Sequence, residues 1–216
     1  MDLYHGSDKI VQRPLFGKGN VYNDYGLGFY CTREPELARE WACAEGRDGF
    51  INKYDFIIDR LSVLNLNYGE YNILNWLAIL LENRRFDLST PVAVRSKKFI
   101  LDNYLPPYKQ YDVIIGYRAD DSYFSFSRAF LSNSITLEQL ERAMKLGKLG
   151  EQVVLRSKAA FEQIFFVSSE SVDSNVFYPK RMARDRRARL DYMSMLSETP
   201  GADAVYISDL INGKSI

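Results

Sequence analysis

His5 is the only histidine among 216 residues, and it lies in Tyr4-His5-Gly6-Ser7. With one imidazole, neither a two-histidine metal site nor an imidazole acid–base pair can form, so imidazole chemistry is confined to His5. The competing role for a lone histidine is a hydrogen-bonded structural one. Gly6 beside it has no side chain and lets a ligand approach the backbone. Other chemistries are excluded by their motifs. Gly17-x-Gly19-x-x-Tyr22 lacks the last glycine of a dinucleotide-binding turn, and no helix plainly follows it. No Walker-type phosphate loop and no serine-nucleophile elbow is present. Cys31 and Cys43 make neither a disulfide framework nor, with one histidine, a zinc site, so no metal is expected.

The elements that must position these residues are short and irregularly ordered. Leu3 to His5 reads as a strand that ends at the imidazole, and Phe29 to Cys31 as a second strand. Between them, residues 12–28 form a glycine- and asparagine-rich loop, of a length that in compact domains usually covers a site. Thr32 is expected to cap a helix over 33–44, with Pro35 in its first turn and Leu37, Trp41 and Ala44 on one face. Further strands are predicted over 50–58, 62–65, 112–117, 152–155 and 164–167. Helices are predicted over 71–84, 92–104, 122–131, 136–147 and 179–196, the fourth opened by a Thr136-to-Gln139 capping box. Asp120 and Asp121, at a strand end, could contact a ribose or cap the next helix. This order lacks a β-α-β rhythm, so the expected class is α+β.

Composition permits a sizeable core: 46% of residues are hydrophobic and 26% charged. The 28 basic and 28 acidic residues argue against wholesale nucleic-acid or membrane binding, while leaving room for a local patch. No secretory leader or apolar run of spanning length is visible, so a cytoplasmic location is the simplest expectation. A catalytic domain over 1–175 with a helical extension over 176–216 is expected. That extension holds Lys180, Arg181, Arg184, Arg186, Arg187 and Arg189 against Asp185 and Asp191. Its two readings are a solvated helix face and a surface for a phosphate-rich or acidic partner.

His5-Gly6-Ser7 on an early strand, Asp24-Tyr25-Gly26-x-Gly28-Phe29-Tyr30 on a second, Asp112-Val113-Ile114-Ile115-Gly116 and the arginine-rich C-terminal helix together resemble the ADP-ribosyltransferase superfamily. The likeness is to its His-Tyr-Glu branch of poly(ADP-ribose) polymerases and diphtheria-toxin-like enzymes. Within that superfamily the chain is most similar to a bacterial family, the domain of unknown function 3990 family. The resemblance implies a split β-sandwich core with surrounding helices and NAD as co-substrate. It also implies a catalytic set of His5, Tyr30 and Glu151. His5 would donate to a hydroxyl of the adenosine-side ribose, Gly6 would pair with the nicotinamide carboxamide, and Ser7 would support the nearby ribose. Tyr30 would stack on nicotinamide, and Trp41 is either a second stacking aromatic or a core residue. Gln152 rivals Glu151 as third member. Ala38 departs from the serine that bonds the carboxamide in the polymerases. Leu149 stands where arginine-modifying relatives carry Glu or Gln, so arginine is not the expected acceptor.

The chemistry so implied is transfer of ADP-ribose from NAD to a macromolecule, protein or nucleic acid. Glu151 would oppose the positive charge that grows on the ribose as nicotinamide leaves, worth roughly 3 kcal/mol in a water-excluding site. Relatives of this layout are often toxins neutralised by an antitoxin protein, which is the partner expected here, and no membrane role is implied. The alternatives are an NAD glycohydrolase, an inactive NAD- or ADP-ribose-binding module, and an RNA 2-phosphotransferase. The last needs a cluster of basic residues around a phosphate near His5.

Overall fold

The computed structural model describes residues 1–119, 121–146 and 150–214. Two small sheets carry the fold, which is α+β. In the first, strands β1 (Asp2–Ser7), β3 (Gly49–Phe56) and β7 (Ile164–Val172) pair antiparallel in the order β1-β3-β7. In the second, β2 (Phe29–Cys31), β6 (Glu151–Leu155), β5 (Val113–Tyr117) and β4 (Val63–Asn65) lie in the order β2-β6-β5-β4, with β4 parallel to β5. The sheets meet where Tyr4 and Thr32 exchange backbone hydrogen bonds of 2.8 and 2.9 Å.

Strand alternation decides what each face buries. Leu3, Tyr54 and Phe56 of the first sheet pack against Cys31, Val113, Ile115, Val153 and Leu155 of the second. The opposite face of the second sheet presents Ile114 and Val154 to the largest cluster. That cluster is built by α2 (Ile73–Asn83), α3 (Pro91–Tyr104), α4 (Asp121–Leu131), α5 (Leu137–Lys145) and α8 (Ile207–Ile211). α1 (Pro35–Ala42) covers the outer face of the first sheet with α7 (Ser174–Leu196), where Ala38, Ala42, Ile51 and Val172 pack together. Glu40 of α1 accepts from Arg184 of α7 at 2.7 and 2.9 Å and locks the two helices. A short α6 (Lys158–Glu162) precedes β7. Among the described residues no helix is long and apolar enough to cross a membrane.

Several expectations shift. Thr32 does not cap α1: the helix opens after Glu34 without a side-chain cap, because the Thr32 backbone is taken up by Tyr4. The Thr32 hydroxyl instead accepts from the Glu34 N–H at 3.2 Å. α1 stops at Ala42, since Ala44 turns back to pair with Arg47. α7 begins at Ser174, capped by Asp173, and carries Pro179 in its interior. β7 runs on through Ser168-Ser169-Glu170-Ser171, because backbone pairing to β3 holds residues that bury little. The Thr136–Gln139 capping box forms as expected. Asp120 and Leu149 lie outside the described residues, as does the Asp121 side chain.

Gly6 is fixed by packing. A Cβ there would sit 2.0 Å from the Ala38 carbonyl oxygen and 2.7 Å from the Ala42 nitrogen. α1 therefore lies directly on the backbone of β1. Gly6→Ala is expected to force α1 outward and cost about 1–3 kcal/mol, as overpacking does, read as a lower urea midpoint with an unchanged m-value.

Candidate functional site

A cleft of 740 Å³ opens where β1 and β2 meet. His5, Gly6, Tyr30 and Trp41 line it, together with Asp24 and Gln152. Lys9, Arg13, Lys18, Arg84 and Arg118 form the cationic part of its wall, against Asp24 as the one acidic side chain among the described residues. A cavity of this size is within the range that takes a nucleotide-sized ligand.

The His5 side chain shares the inter-sheet face of β1 with Leu3. Its Nδ1 donates to the Tyr30 carbonyl at 2.7 Å, and Phe29 packs against the ring with centroids 4.4 Å apart. A carbonyl can only accept, so Nδ1 holds a proton. Burial pushes the imidazole below its ordinary 6.5, with the Tyr30 bond opposing. The neutral ring therefore carries a bare lone pair at Nε2 and can only accept there. In that state the contact with a ribose hydroxyl expected of His5 is one in which Nε2 accepts.

Behind His5, fully buried Asn52 organises the segment that follows. Its Nδ2 donates to the His5 and Lys9 carbonyls, each at 3.3 Å, and to Ser7 Oγ at 3.1 Å. Its Oδ1 accepts from the Val11 N–H at 2.9 Å. Ser7 Oγ in turn donates to the Lys9 carbonyl at 2.6 Å. Ser7 is thus spent on this turn and does not line the cleft, contrary to its expected ribose role. Gly6 fares differently. Tyr4 turns its N–H and C=O away from β3 toward Thr32, and Gly6, two residues on, aims its pair the same way. Among the described residues nothing takes that pair up.

Tyr30 is anchored by its hydroxyl, which donates to the Gly26 carbonyl and accepts from the Tyr25 N–H at 3.1 Å. Burial drives its pKa far above the ordinary phenol value, so it remains a neutral donor. Asp24, on the same loop, was missed as a site residue. It takes the Arg84 Nε and the Ala119 N–H, each at 2.9 Å, and the Gln152 Nε2 at 3.3 Å. Burial pushes its carboxyl upward, and the Arg84 guanidinium opposes that shift. Trp41 lines the cleft and is half-buried, with the Arg118 guanidinium 4.0 Å from its ring centre. Ala38 is fully buried and does not line the cleft.

Glu151 heads β6 as expected, but it shares the face of Val153 and Leu155 and accepts from Asn67 Nδ2. Gln152, on the opposite face, is the β6 residue that reaches the cleft, and its Oε1 is buried without a partner. Along α7, Arg184 is held by Glu40, Arg187 by Asp191, Arg189 by Asp185 and Lys180 by Glu36. None of the α7 arginines lines the cleft. The cations that do line it carry no sequence motif, because Arg84 (beside Arg85) and Arg118 join the site only through Asp24 and Trp41 of other elements; the signal for Asp24 is its place in Asp24-Tyr25-Gly26.

Over residues 1–166 the chain matches the family described as Protein of unknown function (DUF3990), and it belongs to that family. No curated protein and no solved structure matches it.

Because His5 is the only histidine, its titration is read directly from one imidazole resonance. The midpoint is expected below 6.5, with the Nδ1–H tautomer above it. The unfolded chain then binds the proton first. The stability contributed by His5 is complete above about pH 6.5 and lost as pH falls from there toward the folded midpoint. A midpoint above 6.5 would contradict the buried, neutral ring.

Proposed function

We propose that this member of the DUF3990 family is an NAD-dependent mono-ADP-ribosyltransferase of the ADP-ribosyltransferase split-sandwich type, with the cleft as its NAD site. One observation carries the reading: His5, the open Gly6 edge, Tyr30 and Trp41 converge on a single cleft whose wall is strongly cationic. The backbone pair of Gly6 matches the donor and acceptor of a carboxamide. The Tyr30 ring is held in place by its own hydroxyl and offers a stacking surface, worth on the order of 1–3 kcal/mol by analogy with base stacking. The Nε2 of His5 accepts from a ribose hydroxyl. Guanidinium and ammonium groups on the wall suit a pyrophosphate, to which arginine binds in bidentate fashion. Two sheets joined at Tyr4–Thr32, with the imidazole strand and the phenol strand adjacent, give the layout this reading requires.

Release of nicotinamide builds positive charge on the ribose, which a nearby carboxylate stabilises. In this reading Glu151 supplies it by exchanging Asn67 for the ribose. A second reading, an NAD- or ADP-ribose-binding module without turnover, is favoured by Gln152 standing in the cleft while Glu151 is held outside it.

Incubation with NAD labelled on the adenylate and a whole-cell lysate separates these readings. The wild type is expected to label a macromolecule, and His5→Ala and Glu151→Ala to lower nicotinamide release about 100-fold, the usual loss for one preorganised polar group. Nicotinamide release without a labelled macromolecule assigns water as acceptor. Calorimetric NAD binding with no release in any lysate selects the module, and absence of both binding and release ends both readings.

A further inference from the structure

A second pocket, of 270 Å³, opens on the other side of Arg84 and is lined by Tyr22, Arg84, Arg85, Phe124 and Arg128. We propose that it is a docking site for single-stranded nucleic acid, which is the acceptor of the transfer. As an acceptor site it rests on the reading above; as a binding site it does not.

Among the described residues the lining holds three arginines, two aromatic rings and no carboxylate. The Arg85 guanidinium lies 4.1 Å from the centre of the Tyr22 ring and also donates to its hydroxyl. The Arg84 guanidinium lies 4.8 Å from the centre of the Phe124 ring. Arg84 is balanced by Asp24, but Arg85 and Arg128 are exposed and form no ion pair among the described residues. Unpaired guanidinium groups beside one another repel, and an arriving polyanion relieves that cost while releasing its counterions.

The ligand class follows from the alternation of planes. A site for one phosphorylated side chain gathers its cations around a point. Here two guanidiniums lie 4.1 and 4.8 Å from the centres of aromatic rings, which sets cationic N–H groups beside stacking surfaces. Bases stack on such surfaces while phosphates take the N–H groups, and only unpaired bases have free faces to offer. Tyr22 is 43% exposed, so its ring remains open to a base. Position adds to the case, since Arg84 lines both cavities. A strand seated on Tyr22 and Phe124 has its neighbouring nucleotide at the mouth of the cleft. The α7 run is the less suitable surface, because most of its cations are already paired within the chain.

The test is fluorescence anisotropy of a fluorescein-labelled 12-nucleotide single strand, in RNA and DNA form, without NAD. The wild type is compared with Arg85→Ala/Arg128→Ala and with Arg181→Ala/Arg186→Ala on α7. Matched circular dichroism melts establish that these surface variants fold, and Tyr22→Ala serves as a second, charge-neutral variant. The Arg85/Arg128 variant is expected to lose at least ten-fold in affinity and about 1.4 in the slope of log affinity on log salt, ~0.7 for each phosphate released. Tyr22→Ala is expected to lose about ten-fold with its salt slope unchanged, and the α7 variant to bind as the wild type does. No binding by the wild type overturns the proposal. So does equal binding by the Arg85/Arg128 variant, or equal affinity for a duplex or a phosphopeptide of the same charge. Because NAD is omitted, failure of the transferase reading leaves this measurement standing, and failure here leaves NAD turnover untouched.

Discussion

The junction of β1 with β2 is the constraint on which the cleft depends. It consists of the Tyr4–Thr32 backbone pair and, one residue further along β1 and two residues back from Thr32, the bond from His5 Nδ1 to the Tyr30 carbonyl. Beyond it backbone pairing stops, because the Tyr30 carbonyl, which continued pairing would give to the Gly6 N–H, is taken by the His5 imidazole. Among the described residues the outward N–H and C=O of Gly6 are therefore left open, and they border the cleft. The imidazole bond is worth about 1 kcal/mol net, but leaving the Tyr30 carbonyl buried and unpaired would cost about 1–3 kcal/mol. The same bond fixes the tautomer. The structural role of His5 and its place in the cleft wall are thus compatible: the bond that holds the junction uses Nδ1 and leaves Nε2 outside it.

A second constraint ties the 12–28 loop to this junction. Asp24 is almost fully buried, and its carboxylate collects the end of α2 through Arg84, the chain after β5 through Ala119, and β6 through Gln152. Removing one partner from a buried charge costs about 3–5 kcal/mol, so the loop cannot leave without a substantial penalty. The network also explains the residue at position 152. A glutamate there would set a second carboxylate against Asp24 in a buried wall, and like charges so placed cannot both ionise. An amide instead donates to Asp24. The strand's carboxylate falls on the neighbouring position, whose alternation turns it toward Asn67.

What could be read from the sequence follows from how local each signal was. Phe29 to Cys31 was legible to the residue because an aromatic, apolar run is bounded by glycine and threonine. The Thr136 cap was legible because both of its hydrogen bonds lie within one turn. His5 and Tyr30, which the family resemblance of their motifs sets in one site, do meet in the structure. Thr32 misled because its capping chemistry is local while its actual partner, Tyr4, is distant. Ser7 misled in the same way: Asn52 claims it from across the sheet. The polar end of β7 was invisible because only its backbone pairs, and Glu151 was read without the face on which β6 would place it. Arg84 and Arg118 had no signal at all, since what makes them part of a site is Asp24 and Trp41 from other elements.

The even balance of charge conceals an uneven distribution, and burial decides where each sign is visible. On α1 and α7, acids and bases meet: Glu40 is buried under Arg184, and Glu36 reaches both Arg39 and Lys180. With the Arg187–Asp191 and Arg189–Asp185 pairs, these contacts offset four of the six cations on the most basic stretch of the sequence. Around the cleft the reverse holds. Five cationic side chains share its wall with one carboxylate, and that carboxylate is turned inward on its own hydrogen bonds. Low-dielectric walls focus the remaining positive field into the opening, which raises the local concentration of anions. A chain with no net charge thus carries a concentration of positive charge at one place, set by where the fold gathers its cations.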